Sequence, residues 1–138
     1  MAEGIIRDMA LEKGLNIEFD SCGTGDWHVG DEPDLRAQAC MNEKGSDISD
    51  LRGRQFHPDD FQNFDRIYTM DQSNYNNVLA LATNEQDRKK VNMIMNEIYP
   101  GENRSVPDPY FGGEDGFTKV HEMLTMAAQQ VLSNLKGE

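Results

Sequence analysis

The chain has little cysteine, little positive charge and no long apolar run. Its two cysteines, Cys22 and Cys40, form no Cys-x-x-Cys pair and stand in no Cys/His cluster, which excludes a disulfide framework and argues against a zinc site. Thirteen Lys and Arg are set against 25 Asp and Glu, a formal net charge of -12, with an isoelectric point near 4.5. That field repels phosphate backbones and anionic lipid surfaces, so neither nucleic acid nor a membrane is an expected partner. It also repels an anionic small substrate, so any phosphate site has to be local, built of backbone amides and a positioned Arg. The apolar stretches are only a few residues long, where a bilayer span needs about 20. Met1 to Asp8 carries an early acid and no apolar core, unlike a secretory leader. The expectation is a cytoplasmic protein with reduced thiols, no metal and no cofactor.

What is present reads as one globular domain over 1–138, with 37% hydrophobic residues and a mean hydropathy of -0.72, large enough to bury a single core. Residues 2–13 predict a helix, with Ile5, Ile6, Met9 and Ala10 on one face and Gly14 as its stop. Leu15 to Phe19 alternates apolar and polar, as a half-covered strand does. A glycine-rich turn over 21–26 follows. Asp31-Glu32-Pro33-Asp34 opens a helix running to about Lys44, and His57-Pro58 introduces a short one over 59–64. Asp65 to Met70 reads as a buried strand, Ser73 to about Thr83 as a helix and Val91 to Met95 as a weaker strand. Pro100 to Gly116 reads as irregular, and Phe117 to Leu135 as a helix with Val120, Leu124, Ala127, Val131 and Leu135 at helical spacing. Strands alternating with helices predict an α/β fold with a parallel sheet and helices on both faces. Ligands of such sheets sit at the C-terminal ends of the strands, where the glycine-rich turn and Met70-Asp71 fall.

Several blocks carry a family likeness. They are Asp20 to Gly30, then Pro33-Asp34-x-Arg36, Arg54-Gln55, Asp60-Phe61, Phe64-Asp65, Met70-Asp71-x-Ser73-Asn74 and Val106 to Gly113. In this order and spacing the chain resembles the low-molecular-weight protein-tyrosine phosphatases. The resemblance implies a three-layer fold around a four-stranded parallel sheet. It also implies a Cys-x5-Arg loop, placed after the first strand, that cradles a phosphoryl group on backbone amides and a helix N-terminus. In that chemistry a thiolate of lowered pKa attacks phosphorus, and the Arg holds the equatorial oxygens. An Asp protonates the leaving phenol and then activates water.

Here His28 stands six residues after Cys22 and Ser46 six after Cys40, so neither cysteine opens a Cys-x5-Arg loop. Ala2 to Arg7 resembles the start of the helix that follows that loop. The expectation is therefore an N-terminally incomplete domain that begins one strand and one loop late, from a misassigned or trimmed start. The first strand lies inside the family's sheet, so its loss predicts open edges and possible self-association through them.

Within the likeness, Asp108 is the expected general acid and base; a bare turn-former between two prolines is the alternative. Trp27, Tyr110 and Phe111 are expected as walls for a phenyl ring rather than as packing aromatics; Phe111 stands where the family has a second tyrosine. Asp71 and Ser73 are read either as cap residues of the helix they open or as supports of the phosphate loop. Leu51 replaces a His frequent in the family. Cys22 and Cys40 are expected as small buried thiols, and Met93, Met95, Met123 and Met126 as gap-fillers. His28, His57 and His121 are too scattered for a metal site. The implied function is hydrolysis of a phosphotyrosine protein or aryl phosphate through a phosphocysteine, in the complete form. The chain as written is expected to be inactive. A non-catalytic pseudophosphatase or binding module is the alternative, and an arsenate reductase ranks last because no cysteine follows Cys40.

Overall fold

The computed structural model describes residues 1–24, 29–107 and 113–136, with the side chains of the last segment from 116 to 135. The elements in chain order are α1 (Ala2–Glu12), α2 (Leu35–Glu43), α3 (Asp60–Asn63), β1 (Ile67–Thr69), α4 (Gln72–Ala80), α5 (Glu85–Lys90), β2 (Val91–Met93), a 3-10 turn (Ile94–Glu97) and α6 (Gly113–Lys136).

Local chemistry accounts for most boundaries. α1 and α2 end in the same way. Gly14 and Gly45 take φ of 66° and 82°, and the residue after each glycine donates back to the last turn, Leu15 N to Ala10 O at 2.9 Å and Ser46 N to Met41 O at 2.9 Å. This is the Schellman closure that a left-handed glycine permits. α2 opens at Asp34, whose carboxylate accepts from Arg36 N at 2.8 Å.

β1 and β2 pair in parallel, with Ile67 opposite Val91 and Thr69 opposite Met93. An isolated parallel bridge joins Gly23 to Gln55. Side chains alternate across β1, and the two faces feed two cores. Ile67 packs with Phe56, Phe61, Val78 and Val91, while Tyr68 and Met70 pack against the larger core of Ile5, Met41, Ile48, Ile94, Leu124 and Val131. α4 and α5 lie against the sheet on the first side. α6 lies against α1, α2 and the 3-10 turn on the second, with Ala127 fully buried to allow the close approach. The expected parallel sheet with helices on both faces is the observed layering.

Several local expectations are corrected. Leu15 to Phe19 is not a strand, because alternation does not make a strand without a hydrogen-bonded neighbour. α5 was not foreseen. It has no apolar stripe and rests on Asn84, which accepts from Asp87 N at 2.8 Å, with acids in its first turn and Arg88, Lys89 and Lys90 in its last. The strand expected to reach Met95 stops at Met93, the helix expected to reach Thr83 stops at Ala80, and α6 begins at Gly113. Cys22 is exposed rather than buried, whereas Cys40 is buried. Met126 is half exposed and fills no gap. No helix among the described residues is long and apolar enough to cross a membrane.

Candidate active site

Two parts of the chain meet at the C-terminal end of β1. The Met70 carbonyl accepts from Val106 N at 2.7 Å. Asp71, next in sequence, caps α4 by accepting from Asn74 N at 2.7 Å, and Ser73 is exposed in the first turn. The bond from Val106 holds that residue at Met70, which brings the start of the Val106-Pro107 block to the strand end where an α/β sheet places its ligand.

The facing wall is the turn around Cys22 and Gly23. Gly23 N donates to Arg54 O at 2.8 Å and Phe56 N to Gly23 O at 2.7 Å. Further along, Gly30 N donates to Gly53 O at 2.8 Å and Gly53 N to Asp31 O at 2.9 Å. Both flanks of the glycine-rich loop are thus pinned to 53–56. Between this wall and β1 runs an open cavity of about 320 Å³, bordered by Glu3, Cys22, Arg54, Asp60, Met70 and Asn74 among others.

Arg54 is the charge centre of this wall. Its Nε donates to Asp20 Oδ2 at 2.9 Å and an Nη to Asp60 Oδ2 at 2.9 Å, and Asp60, only 6% exposed, also accepts from His57 N at 2.9 Å. Burial works against the guanidinium charge, but the Asp60 hydrogen bond and the neighbouring negative groups hold its pKa above the ordinary value. The Arg54 guanidinium is thus committed to two carboxylates.

Cys22 is exposed as a residue, but partial desolvation of its sulfur against the cavity wall pushes the thiol up, and the nearby carboxylates add to this against the Arg54 charge. Burial and Glu43 push Cys40 up as well. A nucleophilic cysteine needs the opposite shift. No group of three His, Cys, Asp or Glu stands in metal-holding geometry among the described residues.

A sequence profile described as low molecular weight phosphotyrosine protein phosphatase matches residues 1–138. The chain belongs to the low-molecular-weight protein-tyrosine-phosphatase family. It is 40% identical to a protein of this family from Synechocystis over 139 residues, covering 99% of this chain and 88% of that one. It is 37% identical to the low molecular weight phosphotyrosine protein phosphatase of Schizosaccharomyces pombe, covering 98% and 87%. Its fold superposes on a crystal structure of a protein tyrosine phosphatase from Entamoeba histolytica with a TM-score of 0.91, at 30% identity over 99% of this chain and 87% of that one.

Of the site residues expected for a phosphatase of this family, Trp27, Asp108, Tyr110 and Phe111 lie outside the described residues. Asp71 and Ser73 sit at the same strand end as Val106, with the capping role of Asp71 observed directly. Leu51 packs against the larger core. The sequence reading missed the Asp20–Arg54–Asp60 cluster. All three residues fall in motif blocks, but nothing in spacing joins Asp20 to Arg54 across 34 residues.

Proposed function

We propose that these 138 residues are the scaffold and acid–base half of a cytoplasmic protein-tyrosine phosphatase, and that alone they do not turn over. The observation that carries this reading is that neither cysteine is followed six residues later by Arg, while both thiols are held above their ordinary pKa. Phosphoryl transfer by this route needs a thiolate on phosphorus and a guanidinium on the equatorial oxygens. Joined to a Cys-x5-Arg loop, the scaffold would work in two steps. The thiolate attacks phosphorus and the S–P bond forms as the P–O bond to the tyrosine breaks. Asp108 gives its proton to the leaving phenolate oxygen. The resulting carboxylate then takes a proton from water, which attacks the phosphocysteine and releases phosphate and thiolate. Trp27, Tyr110 and Phe111 are assigned to the phenyl ring, and Asp71 and Ser73 to support of the loop.

Incubating the 138-residue chain with p-nitrophenyl phosphate should release no phenolate and trap no phosphocysteine. Turnover that disappears in Cys22→Ser would overturn this reading. In a chain that carries both the loop and these residues, Asp108→Ala should slow turnover by about 10²–10⁴ while phosphate still binds. Full activity of that variant would remove Asp108 from the mechanism.

A further inference from the structure

The outer face of α4 carries no charge. From Gln72 to Asn84 the chain has no Asp, Glu, Lys or Arg, although 28% of its residues are charged and the solvent side of a helix is where charge ordinarily stands. The helical repeat sorts this stretch into two sides. Val78 is buried, Asn74, Tyr75 and Leu79 are half-buried, and α4 packs on β1 and β2. Gln72-Ser73, Asn76-Asn77 and Ala80-Leu81 follow one another at four-residue spacing, and all six are exposed.

The rest of the molecule is a poor surface for a second copy. α5, on the same side of the sheet, ends in Arg88, Lys89 and Lys90. Residues 72–90 hold three cations and two acids, whereas the remainder of the chain holds ten cations and 23 acids. Two copies that each carry a net charge of -12 repel one another over most approaches. Across the α4 face they can meet without desolvating like charges, and depletion of charge marks the core of an interface. The amides on this face are also self-complementary. Gln72 Nε2 donates to Asn76 Oδ1 at 3.0 Å, which fixes the Asn76 amide. Its Nδ2 is left without a partner among the described residues, and its Oδ1 keeps a second lone pair. A two-fold axis at Asn76 lets each Nδ2 donate to the other copy's Oδ1. Gln72-Ser73 then lies over Ala80-Leu81 of the other copy, where the small alanine admits the longer glutamine.

We propose that the chain forms a weak two-fold dimer through the outer face of α4, with Asn76 on the axis. The nine residues of α4 span about 13.5 Å. A contact of that length falls short of the roughly 800 Å² per partner of a standard interface, so the dimer dissociates reversibly. The proposal does not depend on the phosphatase reading, since no catalytic group takes part.

Sedimentation velocity of the 138-residue chain is followed from about 10 μM to about 1 mM, the range in which an interface below standard size associates. The expected result is a monomer that passes to a dimer and no further. Raising the salt from about 0.02 to 0.2 M should tighten it at least threefold, because screening relieves the repulsion between two acidic copies. Asn76→Asp keeps the acceptor for Gln72 but sets two carboxylates against each other on the axis. It should weaken the dimer at least tenfold with the circular dichroism unchanged. Gln129→Glu, an equal added charge at an exposed position of α6, should change it less than twofold. A monomer throughout the range, growth beyond two copies, or a dimer that loosens with salt would overturn the proposal. So would a dimer that Asn76→Asp leaves intact, because the contact would then lie elsewhere.

Discussion

Replacing Arg54 by methionine keeps most of the stem and removes the charge, leaving Asp60, among the described residues, with the His57 amide as donor. Breaking one partner of a fully buried ion pair costs about 3–5 kcal/mol. This pair is less enclosed: the Arg54 side chain is 33% exposed and that of Asp60 is 9% exposed, so water reaches one end. The Asp20 arm, with Asp20 at 43%, falls in the range of about 0–1 kcal/mol for surface pairs. Together these place Arg54→Met at about 2 kcal/mol of lost stability, or roughly 1 M in the urea midpoint for a slope of about 2 kcal/mol/M. Adding Asp60→Asn, which removes the stranded charge but keeps an acceptor for His57 N, should recover about 1 kcal/mol of that loss. Because the Arg54 charge opposes the upward push on Cys22, the same variant should slow alkylation of Cys22 at mildly alkaline pH. A loss below about 0.5 kcal/mol, or strictly additive single effects, would refute the role of Arg54 as the clamp of this wall.

Gly4 lies buried in α1, and a Cβ built there runs into Ile48 Cγ2, a side chain only 1% exposed. The better helix propensity of alanine favours Gly4→Ala by about 1 kcal/mol, but overpacking of about 1–3 kcal/mol opposes it, so thermal unfolding should move a few degrees down; a rise would mean that Ile48 yields. Burial, reinforced by its hydrogen bond to Glu97 Oε1 at 2.5 Å, pushes the Tyr68 phenol up to about 12 from an ordinary 10. A raised folded pKa contributes stability that is complete below pH 10 and lost as pH rises through about 12. The phenolate absorbance of the wild type minus that of Tyr68→Phe should titrate near 12, and a midpoint near 10 would contradict the burial.

The sequence by itself determined the features that act within a turn or two of helix. Gly14 and Gly45 end α1 and α2, and Asp34 and Asp71 open α2 and α4, because a cap needs only backbone groups two to five residues away. It also determined the family, because the motif blocks run the length of the chain in order. The polar α5 escaped it, since caps and end charges without an apolar stripe leave no periodic signal. Only the tertiary structure decided what depends on distant partners. Leu15 to Phe19 has the alternation of a strand and is not one, since a ladder requires a neighbour that no local pattern supplies. Cys22 lies open beside Arg54, and Asp20 joins Asp60 on that guanidinium, because the parallel bridge of Gly23 with Gln55 brings their segments together.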